Sequence, residues 1–126
     1  YGGNPIAARA VLATIAMRNA TYLLQRNHKI VLDNLNVAEK FFKKHKKVLH
    51  WIQPNGGSIA FPKLMRPFDV TEMCEKAMQE KELLIIGERA FGLDTNNFRL
   101  GLGRRDFNEA LDVFSEIIEE MEDQVK

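Results

Sequence analysis

Apolar residues along the chain fall into stretches of helical period, separated by short runs that alternate or carry turn residues. In the first stretch Ala7, Ala8, Val11, Leu12, Ile15 and Ala16 recur at helical spacing, while Ile6, Ala10, Ala13 and Met17 spread apolar surface around the circumference. Asn4 before Pro5 supplies a capping side chain ahead of a proline that suits a first helical turn, so a helix is predicted from there. A helix this apolar has protein on more than one side. The opening YGGNP, without an initiator methionine or a polar lead-in, gives the same expectation: a fragment of a longer polypeptide, with this helix shared with a missing neighbour.

The phase shifts around Asn19 to Thr21, and Leu24, Val31, Leu35, Ala38 and Phe42 form the stripe of a second, long helix. Its end, Lys43 to Lys47, reads KKHKK, where cations complement the negative pole of the helix and form a solvated terminus rather than a phosphate site. Val48 to Ile52 and Ser58 to Phe61 read as strands flanking the turn residues Pro54 to Gly57, which predicts a hairpin. Asp69 with Glu72 forms a capping box for a third helix over Thr71 to Glu80, turning Met73, Ala77 and Met78 inward. Leu83 to Ile86 and Phe98 to Leu102 are β-rich. Asp106 with Glu109 is the same box at the start of a last helix, whose stripe is Phe107, Ala110, Leu111, Phe114, Ile117, Ile118 and Met121. The sum is an α+β arrangement: a small, mostly antiparallel sheet of about four short strands packed with helices, preceded by two N-terminal helices.

At 126 residues, 45% hydrophobic and 28% charged, the chain has enough apolar material for one core. A formal net charge of +1 gives no global field to recruit nucleic acid or an acidic membrane. No apolar run approaches the roughly 20 residues that span a bilayer. The one cysteine, Cys74, has no internal disulfide partner and reads as a buried thiol in a reducing, cytoplasmic compartment.

His28, His45 and His50 lack metal-ligand spacing and stand beside no nucleophile motif, so they read as surface or helix histidines. No nucleophile elbow, phosphate-cradling loop or dinucleotide fingerprint occurs. Within FRLGLGRR, Phe98, Leu100 and Leu102 point to one face of a strand, while Arg99 shares the other with Gly101 and Gly103. A guanidinium beside two positions without side chains suits the anchoring of a carboxylate. The same residue also fits a structural ion pair, for instance with Glu88, or a plain exposed strand arginine.

Taken in order, NPIAARAVLATIA, QPNGGSIAFPKL, ELLIIGERAFG and NNFRLGLGRR followed by an acidic helix resemble the C-terminal part of class I/II aminotransferases, pyridoxal-phosphate (PLP) enzymes of fold type I. The resemblance covers essentially the whole chain. It implies that residues 1–20 are the last helix of the large domain or the linker to it, and that residues 21–126 are the C-terminal small domain. It further implies that Arg99 binds the substrate α-carboxylate, and that Asn4 and Glu88 are candidate contacts of a neighbouring site. Substrates would be an amino acid and a 2-oxo acid, the full-length enzyme a homodimer, with neither nucleic acid nor membrane as partner. The family's Schiff-base lysine and most cofactor contacts lie upstream of the matched region, so Lys63 and Lys81 are rejected for that role and the fragment alone is expected to be inactive. Where relatives usually carry Pro-Gly, this chain has Gly87-Glu88, which leaves Glu88 as a partner for Arg89 or Arg104 or as a specificity element. The same scaffold also serves lyases, decarboxylases and acyl-condensing enzymes. A non-catalytic interaction module, docking through the first helix, is the reading from another class.

Overall fold

A computed structural model describes residues 5–124, so the capping expected of Asn4 lies outside the described residues. The first helix, α1 (Pro5–Arg18), begins at the proline as predicted and leaves Ile6, Val11, Leu12, Ile15 and Met17 exposed. At Asn19 the helix is interrupted. The Asn19 amide nitrogen donates to the Ile15 carbonyl at 2.8 Å, and the chain resumes as α2 (Ala20–Lys44). The α2 stripe buries Asn34, Ala38, Phe41 and Phe42, with Val31 and Leu35 half-buried. Leu24, expected within that stripe, is 69% exposed, because packing on α2 starts only beyond its early turns. The lysines of KKHKK are exposed as expected, but His45 between them is the C-cap residue and is fully buried, its ring centroid 4.7 Å from that of Phe41.

Five short strands follow: β1 (Leu49–His50), β2 (Ile59–Ala60), β3 (Lys63–Leu64), β4 (Ile86–Gly87) and β5 (Phe98–Gly101). All pairings are antiparallel, and the class is the α+β expected, with the strands divided between a β1-β3 pair and a β2-β5-β4 sheet. The predicted hairpin is not formed. β1 pairs with β3, and β2 pairs with β5, because residues 58 to 64 run as one extended segment along β5. Its register holds from the Leu102 N–H donating to Ser58 O, through the Phe98 N–H donating to Pro62 O, to the Lys63–Asn97 bridge. Pro62 has no N–H to give β1 or β5, and it marks the point where the segment's pairing extends to the second sheet. The PNGG stretch still turns the chain, with Gly57 at a φ of 78°. The run Leu83 to Ile86 contributes only Ile86 to a strand.

Helices α3 (Val70–Lys81) and α4 (Phe107–Asp123) cover the inner face of the sheet. The Asp69 cap is formed: one carboxylate oxygen accepts from the N–H groups of Thr71 at 2.7 Å and Glu72 at 3.2 Å. These bonds to the orphan donors of the first turn hold its carboxyl below the ordinary value. Met73 and Ala77 are buried, but Met78 is 52% exposed, one residue too far round the helix. The corresponding box at α4 does not form. Asp106 caps nothing with its side chain because Arg104 takes it, Nε to Oδ1 at 2.7 Å and a terminal nitrogen to Oδ2 at 2.5 Å. The α4 stripe is buried as expected except for half-buried Ala110. Phe114 lies at the centre of the core, 5.5 Å from Phe98 of β5 and 5.7 Å from Phe41 of α2, while Phe42 stacks on Trp51 at 4.4 Å.

Two buried asparagines fix the ends of β5. Asn96, at a left-handed φ of 64°, donates to Leu64 O and Phe68 O and accepts from the Val70 N–H at 2.9 Å. Asn34 of α2 donates to Leu102 O at 2.8 Å and Arg104 O at 2.6 Å. Replacing Asn96 with Ala leaves buried groups without partners, each worth about 1–3 kcal/mol, and puts a less suitable residue at positive φ. Asn96→Ala is therefore expected to lower the unfolding free energy by about 3 kcal/mol in urea titration; a loss below about 1 kcal/mol would show that the junction holds without the amide.

Candidate functional site

Arg99 stands in the middle strand of its sheet. The register places Phe61 across from it on one side and Ile86 on the other, and directly opposed residues share a face. One step along that face, Gly101 lies opposite Ile59. Ile59 is 48% exposed, Phe61 37% and Ile86 36%, so the face that carries Arg99 is apolar and open. Phe91, 49% exposed, meets Phe61 edge to face at 5.6 Å.

The room around the guanidinium matches the sequence expectation. A Cβ at Gly101 would meet nothing within 4 Å, and one at Gly103 would meet only Ser58 Cβ at 3.8 Å. Arg99 is exposed and makes no side-chain hydrogen bond or ion pair with any described residue. Of the readings open for it, the structural ion pair with Glu88 is therefore not the one formed.

Glu88 is turned inward instead, 4% exposed. Its Oε2 accepts from the Thr95 N–H at 2.6 Å, the Asn97 N–H at 2.8 Å and the Thr95 hydroxyl at 3.2 Å. Burial alone would raise its pKa, but these donors outweigh burial and hold the carboxyl below the ordinary glutamate value of 4.5. Glu88 thus ties together the loop from residue 88 to 97, and it partners neither Arg89 nor Arg104. Gly87 before it lies against α3, where a Cβ would be in ordinary contact with Cys74 Sγ at 3.4 Å. The Cys74 thiol is half-buried, and burial, with Asp69 and Glu75 adding to it, pushes its pKa up to about 11. That direction favours the thiol over the nucleophilic thiolate.

Beyond the Ile86–Arg99 pair the two strands part, and a cavity of about 470 Å³ opens between residues 82–85, β5 and α4. Its lining is largely apolar, with Leu83, Ile85, Leu100, Leu111 and Phe114 among the residues, and it includes Arg99 and Gly101. The other charged groups on its lining are Glu82, Arg104, Asp106 and Glu109; Arg104 is occupied by Asp106. No lysine lines it. Lys81 is committed to Glu116 at 2.5 Å, which lifts its pKa, and Lys63 lies on β3. An aldehyde cofactor carrying a phosphate finds no amine here and meets a rim richer in carboxylates than in free cations. The described residues do not by themselves fit PLP.

The fold is that of known PLP-dependent enzymes. Solved structures similar to the chain include a PLP-dependent aminotransferase from Streptococcus suis, with a TM-score of 0.77 and 21% identity over 87% of this chain and 29% of that one. A PLP-dependent cyclase, OrfR, matches with a TM-score of 0.74 and 25% identity over 84% of this chain and 30% of its own. The α-aminoadipate aminotransferase LysN of Thermus thermophilus matches with a TM-score of 0.69 and 14% identity, over 86% of this chain and 30% of its own. The chain therefore spans less than a third of the length of these enzymes, a share that fits the small-domain portion the resemblance implied. No protein-family model matches the sequence, and no curated protein does.

Sequence reasoning placed Arg99 and its glycines on one open face but missed Phe61, Ile86 and Phe91 around it, whose neighbourhood depends on a strand register that no local pattern encodes. Asn4 lies outside the described residues. The depressed Glu88 carboxyl has a sign that can be tested. Because its folded value lies below its unfolded one, its contribution to stability is present above the ordinary glutamate pKa and is lost as pH falls through the folded value. Glu88→Gln is expected to cost about 1–2 kcal/mol at pH 7, with the gap to the parent protein closing as urea titrations move below about pH 4.5. A gap independent of pH would mean that the carboxylate charge is not what holds the loop.

Proposed function

We propose that this chain is the substrate-carboxylate-binding, small-domain part of a PLP-dependent aminotransferase that moves an amino group from an amino acid to a 2-oxo acid. The observation that carries the reading is Arg99: a charged fork without a partner among the described residues, on an open face of the middle strand, with glycine beside it. An exposed arginine on an apolar face is stabilised by a ligand that brings the missing anion, and a planar carboxylate matches its donors two at a time. In this reading Arg99 orients the amino acid so that its α-amino group and Cα–H reach the chemistry. Orientation of this kind supplies several kcal/mol of a barrier.

PLP and the lysine that carries it belong to residues outside this chain, so the chain alone is inactive. Residues 1–20 close the large domain and residues 21–126 form the small one. The apolar, exposed α1 supports that division, since its residues are suited to burial against further protein. The whole enzyme acts as a cytoplasmic homodimer; among the described residues no helix is long and apolar enough to cross a membrane. A second reading keeps the scaffold and changes the reaction, and the likeness to a PLP-dependent cyclase favours it. Product analysis with a 2-oxo acid acceptor separates the two, because only an aminotransferase converts the acceptor to its amino acid.

In the intact enzyme Arg99→Ala is expected to lower kcat/KM about 100-fold, since charge-assisted hydrogen bonds contribute about 1.5–3 kcal/mol. Arg99→Lys, which keeps the charge and loses the fork, recovers part of that. Activity within about threefold of the parent on every accepted amino acid would remove Arg99 from the site.

A further inference from the structure

The surroundings of Arg99 define what else a ligand must carry. On the sheet face that holds it, the flanking positions are Phe61 and Ile86, the next pair along β5 is Ile59 with Gly101, and Phe91 closes against Phe61 edge to face. All four of these hydrophobic side chains are at least 36% exposed. An anion reaching Arg99 is therefore bordered on both flanks by apolar surface, and the ordinary carboxylate partner is missing because Glu88 is buried in its own loop. Lys63, two residues beyond Phe61 on the same extended segment, stands across from His50 and Asn97 and so lies further along this face.

We infer that the substrate of this site is an amino acid with an aromatic or branched aliphatic side chain, held by its carboxylate on Arg99 and by its side chain against Phe61 and Ile86. The inference rests on Arg99 as the carboxylate anchor and adds the residues that choose the side chain. An apolar side chain laid on this face removes exposed apolar area of both ligand and protein from water. A second carboxylate laid there would lose hydration without gaining a donor. Phe61, in edge-to-face contact with Phe91, offers a wall for a ring.

The test uses the intact protein loaded with PLP and single-turnover reaction with phenylalanine, leucine, alanine, aspartate and glutamate, followed by cofactor absorbance. Phenylalanine and leucine are expected to exceed aspartate and glutamate in kcat/KM by about tenfold or more, the usual scale of discrimination by an apolar contact. Phe61→Ala is expected to lower the value for phenylalanine at least about five times more than that for alanine, and Phe61→Leu to restore most of the preference for leucine. Calorimetric titration with 3-phenylpropionate and succinate gives the same ranking without turnover. Preference for the acidic amino acids, abolished by Lys63→Met, would overturn the inference and assign side-chain reading to Lys63 while leaving Arg99 as anchor. Equal losses on all substrates in Phe61→Ala would also overturn it, since the ring would then support the strand and not the ligand. If Arg99→Lys changes nothing for any substrate, both the anchor and the inference fall.

Discussion

The structure depends most on the buried amide of Asn96. Four segments meet there: the end of β3, the loop before α3, the first residue of α3 and the start of β5. Each needs a hydrogen-bond partner that regular secondary structure does not supply, and one side chain gives three of them. The left-handed backbone of Asn96 lets the chain reverse from the Glu88 loop into β5, and asparagine is among the few residues besides glycine that adopt it readily. Since a buried polar group without a partner destabilises by more than a made bond stabilises, the junction resists any small displacement of β5. At the other end the Asn34 amide holds Leu102 and Arg104 against α2. The strand that carries Arg99 is thus fixed at both ends by buried amides and along one edge by an unbroken ladder.

That fixation explains how an arginine comes to stand unpaired on an apolar face. The inner face of β5 is committed to the aromatic contacts of Phe98 with Phe114 and onward to Phe41. A slip of one residue would exchange Phe98 and Leu100 for Arg99 and Gly101 in the core, which the burial of a charge forbids. The core therefore dictates where Arg99 points, and ladder register dictates that Phe61 and Ile86 flank it. The place of Arg99 on the outer face is a consequence of packing on the inner one.

Much of this was legible in the sequence, but unevenly. Periodicity placed α1, α2, α3 and α4, and alternation in FRLGLGRR gave both faces of β5, because these signals are local. The Asp69 cap was readable for the same reason. The Asp106 cap was not, although its spacing was identical, because Arg104 two residues earlier competes for the same carboxylate with a charged, two-pronged donor. The hairpin failed for a related reason: PNGG marks a turn but cannot say which strand the next segment joins, and the long ladder on β5 outweighed a short local pairing. Glu88 looked like a site carboxylate from its position in the chain, while its donors, Thr95 and Asn97, become its neighbours only after the loop closes. Asn34 and Asn96 carried no signal beyond a polar residue in a helix stripe and a turn-forming residue before a strand.

The cavity beside Arg99 follows from the same competition between local and distant pairing. Residues 82–85 would continue the ladder beyond Ile86 and Arg99, yet they leave it, and α3 is the cause. The helix ends at Glu82 in a left-handed cap, with the Leu83 N–H donating back to Ala77 O, so the chain leaves α3 at an angle set by the helix and not by the sheet. Pairing with β5 resumes at Ile86 and Gly87, where Gly87 lies against Cys74 and Val70 of α3. The exit of α3 therefore sets where β4 starts, and with it which apolar side chain, Ile86, lies beside Arg99.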